Sequence, residues 1–208
     1  MNSKQMKIEY RTGFLQSDDE TQGQIVEGYA AVFDQPATIY ESEYSGWKYI
    51  EKIDRNAFAN AKMNDVVFKY NHDDNALILA RTSNNTLNLS VDNTGLKIRA
   101  DIIDTNAGQD VYKLIKRKDL TKMSFAFTVK DDTVKTDSDN KIYTRTINSF
   151  KEIFDVAVVD FPAYEGTSIE ARNQAYFEQL ENQIREKERR KRLFLLASLS
   201  YSYRTENV

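Results

Sequence analysis

Hydrophobic and polar residues alternate along much of the first 170 positions, which is the pattern of half-buried β-strands. The alternating segments predict strands at residues 6–10, 25–33, 47–53, 66–70, 76–80, 87–91, 96–103, 122–130 and 152–161. Between two of these strands, Asp92-Asn93-Thr94-Gly95 is typical of a hairpin turn that uses glycine. The chain is therefore expected to be rich in β-structure.

Two short helices and a polar loop are expected among the strands. Asp54 is a suitable N-cap for a helix at residues 55–62, because its carboxylate can accept hydrogen bonds from free backbone N–H groups. Apolar positions spaced by three and four predict a second helix over residues 107–118. The polar stretch at residues 131–140 predicts an exposed loop.

The composition changes near residue 168. Beyond it, four apolar positions with helical spacing precede a basic segment at residues 185–192: Tyr176, Phe177, Leu180 and Ile184. We therefore expect a β-rich domain over residues 1–169 and a charged helical tail over residues 170–208. The fold class is α+β, mainly antiparallel β.

Composition excludes several classes of function. The 29 basic and 32 acidic residues give a net charge of −3, so no global charge favours nucleic-acid binding. The longest fully apolar run, at residues 193–197, is far short of the ~20 residues of a membrane span. The N-terminus has no apolar signal core, so we expect a non-exported protein without a membrane segment.

The chemistry available to the side chains is narrow. The chain has no cysteine and one histidine, His72, which excludes disulfides, Cys/His zinc clusters and a thiol nucleophile. The glycines form no phosphate-binding motif, and the acidic pairs lie in no calcium-binding loop. No cofactor and no metal are expected. Any histidine-dependent mechanism must use His72.

Two residues, one just beyond a predicted strand and one within another, suggest catalysis, although each also has a plain structural explanation. His72 follows the strand at residues 66–70; such a histidine is usually a surface residue, yet strand ends often carry catalytic side chains. Ser124 shares a strand face with Ala126 and Thr128. That face is either the polar side of a half-exposed strand or open space beside a nucleophilic hydroxyl.

Asp155 lies on the apolar face of its strand, where a carboxylate is costly unless it is paired. It is either a solvent-facing acid on an edge strand or the partner of a group such as an imidazole. His72, Ser124 and Asp155 together could form a Ser-His-acid set, with Glu152 as the reserve acid. Spacing alone does not establish such a set, since triads are recognised by geometry.

The motifs around these residues resemble those of the prohead maturation proteases of tailed bacteriophages. They occur in the family's order from about residue 7 to residue 169, and include residues 27–33, 49–53, 56–58, Asn71-His72-Asp73, Ala80-Arg81, Gly95-Leu96, Met123-Ser124-Phe125-Ala126-Phe127 and residues 155–164. The resemblance implies Ser124 as nucleophile, His72 as general base and Asp155 as third member. This sequence departs from the family pattern at three positions. Ala80 and Ala126 stand where the family commonly has glycine, and Asp155 stands where it often has glutamate.

The same resemblance implies a fold and a biological role. The family's fold is similar to that of herpesvirus assembly proteases: a closed or bent β-barrel surrounded by a few helices, active as a homodimer. The implied substrates are the capsid protein precursor, the scaffold protein and the chain itself, inside the procapsid in the host cytoplasm. Backbone amides near Ser124 or the side chain of Arg81 are candidate oxyanion donors.

Two alternatives to a protease remain open at this point. One is a non-catalytic capsid-assembly or scaffold-binding protein built on the same barrel. The other is an unrelated β-barrel binding protein, in which the alignment of the three residues is accidental.

Overall fold

The computed structural model describes residues 9–17, 23–43 and 45–160, together with short helical stretches at residues 182–183, 185–186, 189–190 and 192–194. The chain divides into two compact units, Met1–Glu165 and Gly166–Val208. All of the sheet described below belongs to the first unit. Separate functions for a domain at 1–169 and a tail at 170–208 stay a prediction.

The described part of the first unit contains strands, one α-helix and a one-turn 3-10 helix at Thr82–Asn84. The elements, in chain order, are β1 (Glu9–Ser17), β2 (Ile25–Val32), β3 (Ala37–Glu41), β4 (Lys48–Ile53), β5 (Val67–Tyr70), β6 (Ala80–Arg81), β7 (Leu87–Val91), β8 (Gly95–Asp101), α1 (Asn106–Arg117), β9 (Lys122–Asp137) and β10 (Ile142–Val159).

Strand β10 organises the sheet, whose order is β3-β4-β10-β9-β1-β2-β8-β7. β10 pairs antiparallel with β9 along its length. On its other side it pairs parallel with β4 through its first half and parallel with β5 through its second half. The sheet is therefore mixed, and it forks at β10 because two separate strands share the same edge.

The expectation of a closed or bent, mainly antiparallel β-barrel is wrong. Among the described residues, the path of hydrogen-bonded strands ends at β3 on one side and β7 on the other, with β5 and β6 branching from β10. The sheet is open. Closure would need β3 and β7 to pair with each other, and among the described residues they do not.

The predicted helix at 55–62 is also wrong, because that segment forms consecutive turns. Its turns are closed by backbone bonds three residues apart, such as Ala59 N to Asn56 O at 3.0 Å, and the segment is also tied to β10. Phe150 N donates to Ala57 O at 2.9 Å, and Lys62 N donates to Lys151 O at 3.0 Å. The helix predicted at 107–118 is confirmed as α1, with Thr105 as its N-cap.

Most of the loop predicted at residues 131–140 is strand. β9 runs to Asp137 and β10 begins at Ile142, so the polar residues lie on an exposed two-stranded arm held by pairing with β10. The strand predicted at 76–80 is reduced to Ala80–Arg81.

The prediction of a long C-terminal helical tail is not met by the described residues. Helical conformation occurs there only in the short stretches between residues 182 and 194. All four positions of the predicted apolar stripe lie outside the described residues: Tyr176, Phe177, Leu180 and Ile184. No described helix is both long enough and apolar enough to cross a membrane.

A cluster of phenylalanines fills the core on one face of β9 and β10. Phe125 and Phe127 stack at 4.7 Å between ring centroids, and Phe150 lies 4.8 Å from Phe127 and 4.5 Å from Phe58. Alternation along β9 then directs Ser124 and its neighbours to the opposite face. The hydrophobic pattern that builds the core thereby selects the face that carries the candidate site.

A buried arginine joins four strands near the base of the β9–β10 arm. Arg145 Nη1 donates to Glu9 at 2.6 Å and to Glu51 at 3.1 Å, and its Nε donates to Asp132 at 2.6 Å. Burial alone would lower the pKa of Arg145, but the hydrogen bonds and charges of these carboxylates raise it above its usual value. The guanidinium is therefore charged and neutralises part of a buried acidic cluster.

Candidate active site

His72 lies in a tight turn at the end of β5, which we call the His72 turn (residues 70–74). Asn71 and His72 have φ angles of 53° and 55°, and Asp73 N donates to Tyr70 O at 3.1 Å. Positive φ at both central residues is the signature of a type I′ turn. Asparagine and histidine are among the residues that adopt this conformation most readily.

The turn is anchored to the end of β10. Asn71 N donates to Val158 O at 2.9 Å, and the side-chain oxygen of Asn71 accepts a hydrogen bond from Asp160 N at 3.2 Å. Tyr70 donates its hydroxyl to Asp160 at 3.2 Å; burial, together with that carboxylate, raises the pKa of Tyr70. Asn71 belongs to the Asn71-His72-Asp73 motif, but the sequence alone predicts no role for it; the structure shows that it anchors the turn.

His72 and Asp155 are brought together. His72 Nδ1 lies 2.5 Å from Asp155 Oδ1, and the two side chains are 12% and 11% exposed. Asp155 is therefore not a solvent-facing acid. Its carboxylate accepts the Nδ1–H of the imidazole, which fixes the tautomer that carries its lone pair on Nε2.

Ser124 lies on the same face of the sheet as Asp155. Ser124 is paired with Ala157 of β10, and Asp155 is paired with Ala126 of β9. Ser124 and Asp155 are thus diagonal cross-strand neighbours, which are typically about 7–8 Å apart, with a somewhat shorter distance between their Cβ atoms. The methyl side chains of Ala126 and Ala157 lie between them on this face.

The hydroxyl of Ser124 is buried without a partner. The residue is 1% exposed, and its Oγ has no hydrogen-bond partner in the structure of the described residues. A buried hydroxyl without a hydrogen bond is unfavourable and rare. The expectation of a half-exposed polar strand face is wrong here, because both Ser124 and Thr128 on this face are buried with their hydroxyls unpaired among the described residues.

Arg81 is held in a bidentate pair. Its Nε and Nη2 donate to the two carboxylate oxygens of Asp65, each at 2.6 Å. The hydrogen bonds from Arg81 lower the pKa of Asp65 to about 2, so the pair persists to strongly acidic pH. Arg81 is paired with Val67, which is itself paired with Asp155, so Arg81 lies in the same row of residues across the sheet.

The reserve acid, Glu152, has a different partner. Its carboxylate forms an ion pair with Lys62 at 2.6 Å, and this contact raises the pKa of Lys62. Asp155 is therefore the acid that contacts His72. Within the described residues, no group of three or more His, Cys, Asp or Glu side chains is arranged to hold a metal ion.

Comparison with known proteins decides the family. The family model of the caudovirus prohead serine proteases matches residues 13–183, which is most of the chain. The chain belongs to this family. The resemblance recognised in the sequence motifs is thereby confirmed, and the protein is a serine protease of capsid maturation. No curated protein and no solved structure matches the chain.

The family match indicates which chemical groups the site should contain. A prohead serine protease needs a nucleophilic serine and a base to activate it. The protease has a single histidine, and the structure pairs it with Asp155 on the face that carries Ser124.

Proposed function

We propose that this protease cleaves capsid and scaffold proteins during head maturation with Ser124, His72 and Asp155 as its catalytic triad. The observation that carries the proposal is the 2.5 Å contact between His72 Nδ1 and Asp155 Oδ1 on the sheet face of Ser124. An imidazole and its two hydrogen bonds together span roughly the separation of diagonal cross-strand neighbours. One ring is therefore long enough to reach from Asp155 to Ser124, and we propose that the contact with Ser124 Oγ, which has no hydrogen-bond partner among the described residues, forms when substrate binds.

In this mechanism the Ser124 hydroxyl attacks the scissile carbonyl while His72 Nε2 takes its proton. Asp155 keeps the proton on Nδ1 and stabilises the imidazolium that forms. His72 then donates the proton to the leaving amine, which releases the first product and leaves an acyl-enzyme on Ser124. Water, deprotonated by His72, attacks the ester and regenerates the serine hydroxyl.

The oxyanion needs a donor from outside the strand. β9 is paired on both sides, with β1 and with β10, so the backbone N–H groups around Ser124 are directed into these ladders. This arrangement favours a side chain as the donor. Arg81 is our candidate, because its pair with Asp65 uses Nε and Nη2 and does not involve Nη1.

The substrates we propose are the capsid protein precursor and the scaffold protein, with the protease itself as a further substrate. The family's place in head maturation supports this choice. We also predict a homodimer inside the procapsid. Light scattering of the purified protein measures that state directly, and a monomer that cleaves its substrate at full rate would contradict it.

Co-expression with the capsid precursor of the same phage tests the proposed triad. We expect cleavage by the wild-type chain and none by Ser124→Ala or His72→Ala. Asp155→Asn should retain the fold and cleave about 10⁴-fold more slowly, because the amide favours the wrong imidazole tautomer. Ser90→Ala, at an exposed serine of edge strand β7, is the matched control and should cleave normally. Cleavage by Ser124→Ala at the wild-type rate would favour a non-catalytic assembly role for this site.

A further inference from the structure

A second ionic pair lies beside His72. Lys69, on β5, is paired with Ala157 of β10, and Ala157 is in turn paired with Ser124. Lys69 therefore shares one row of the sheet with the proposed nucleophile. Its Nζ lies 2.5 Å from Asp74 Oδ1.

The two members of the pair differ sharply in exposure. The side chain of Lys69 is 13% exposed, whereas that of Asp74 is 91% exposed. A nearly buried ammonium group is costly unless a carboxylate compensates it. An exposed aspartate, by contrast, gains little from a surface ion pair. The pair therefore compensates the buried charge of Lys69 and restrains Asp74, rather than stabilising Asp74 itself.

The contact spans the His72 turn. Lys69 belongs to the rigid end of β5, and Asp74 lies two residues beyond His72. Joining them fixes the far side of a turn whose near side is anchored by Asn71 to β10. Backbone bonds at the near side alone leave Asp74 without a connection to the sheet.

We propose that Lys69 and Asp74 form a positioning pair that holds the His72 imidazole over Ser124 and balances the charge around it. This inference rests on the proposed triad and extends it to two residues that contact neither substrate nor the reacting atoms. The pair restrains the turn mechanically. It also supplies one positive and one negative charge near the ring.

The charged groups around His72 determine in which direction its titration midpoint should shift when either member of the pair is replaced. Asp155 faces the ring from β10, Lys69 belongs to β5, and Asp73 and Asp74 belong to the turn itself; Asp160, beyond β10, contacts Tyr70. The hydrogen bond and charge of Lys69 lower the pKa of Asp74, and the charge of His72 lowers it further. The Asp74 carboxylate and the imidazolium are therefore within electrostatic reach of each other.

Opposite substitutions should then shift the histidine titration in opposite directions. Lys69→Met removes a positive charge and leaves the carboxylate, so the imidazolium is favoured and the midpoint moves up by roughly 0.3–1 pH unit. Asp74→Asn leaves the ammonium unbalanced, so the midpoint moves down by a similar amount. The double variant should return close to the wild-type midpoint.

Nuclear magnetic resonance measures this midpoint without ambiguity, because His72 is the only histidine of the chain. The titration of its ring C–H signals is followed in the wild type, both single variants and the double variant. Lys62→Met is the matched control: it removes an ion pair of 2.6 Å with Glu152 of β10, outside the His72 turn, and should leave the midpoint unchanged. Asp74→Asn changes an exposed side chain, so its fold is safe.

A second measurement reports whether the His72 ring is correctly placed relative to Ser124. The rate at which a fluorophosphonate probe labels the protein is measured on the pH plateau, where His72 is neutral. We expect all three variants of the pair to label about 10-fold more slowly than the wild type, the double variant included, because the turn has lost its restraint. Lys62→Met should label at the wild-type rate.

Two results would overturn the positioning role. One is a midpoint that moves in the same direction in both single variants, or in neither; the other is an unchanged plateau rate in all three. Ser124→Ala, run in parallel, separates this failure from failure of the triad. If Ser124→Ala still labels and cleaves, the proposed function is wrong. If it is inert while the pair variants behave as wild type, only the role of Lys69 and Asp74 is wrong.

Discussion

Replacing Ser124 by alanine should abolish proteolysis and at the same time stabilise the folded protein. The hydroxyl is 1% exposed and, in the structure of the described residues, has no hydrogen-bond partner. Unfolding returns this hydroxyl to water, where it is hydrogen-bonded. Folding therefore carries a penalty that the alanine variant does not have.

The size of the gain follows from the burial of one hydroxyl. Mutational data place the cost of burying such a group without a partner at about 1–3 kcal/mol. The lower end applies here, because removing one oxygen also removes some packing contacts, so we expect a gain of about 1 kcal/mol. For a chain of 150–250 residues this corresponds to a rise in Tm of roughly 2–4 °C.

Thr128 provides the matched control. It lies four residues along the same strand face, is 3% exposed, and its hydroxyl is likewise buried without a partner in the described structure. Thr128→Val keeps the shape and removes the hydroxyl. It should stabilise the protein by a similar amount and leave cleavage intact, since Thr128 lies about 13 Å along β9 from Ser124.

Urea denaturation followed by the fluorescence of Trp47 measures both effects. Trp47 is the only tryptophan and is buried, so its emission reports unfolding of the sheet. A loss of 1 kcal/mol or more in Ser124→Ala would show that the hydroxyl has a partner, and the reasoning would be refuted. Equal loss of cleavage in Ser124→Ala and Thr128→Val would show that cleavage depends on this whole face of β9 rather than on the Ser124 hydroxyl.

Three further predictions concern charged groups. Cleavage should fall as pH drops through the titration of His72, because a protonated imidazole cannot accept the serine proton; a flat pH–rate profile would contradict this. Arg145→Met should destabilise the protein by about 3–5 kcal/mol in urea denaturation, because buried Glu51, 3% exposed, loses its counter-charge. Arg81→Met should slow acylation by about 10²–10³-fold in pre-steady-state cleavage assays if its guanidinium binds the oxyanion.

Arg99→Met is the control for both arginine variants. Its guanidinium forms an ion pair with Glu27 at 3.0 Å but is 45% exposed on β8. Loss of a surface pair should cost no more than about 1 kcal/mol and leave acylation unchanged. A stability loss for Arg145→Met no larger than that of Arg99→Met would contradict the account of the buried cluster.

Local patterns in the sequence were sufficient for the elements that form from their own residues. Helix α1 follows from the spacing of its apolar positions, and the alternation around Ser124 gave the correct faces of β9. The unusual position of Asp155 on an apolar face pointed to a partner, which is His72. Each of these inferences depends on periodicity or on the cost of burying charge, and both can be read along the chain.

Features that depend on distant pairing could not be read in this way. The segment at 55–62 has helix-compatible residues, yet it forms turns, and Ala57 and Lys62 bond to β10, more than 80 residues away. The polar arm at 131–140 becomes strand because β9 and β10 pair across it. The parallel pairing of β10 with β4 and β5, which makes the sheet mixed and forked, has no local signal at all.

Mass spectrometry of the protein after reaction with a fluorophosphonate tests the central claim most directly. The probe forms a covalent bond with a serine that has been activated by a base, so the site of the adduct identifies the nucleophile. We predict a single adduct on Ser124 that is absent in His72→Ala and strongly reduced in Asp155→Asn. An adduct on another serine, or labelling of Ser124 that persists at the wild-type rate in His72→Ala, would contradict the triad.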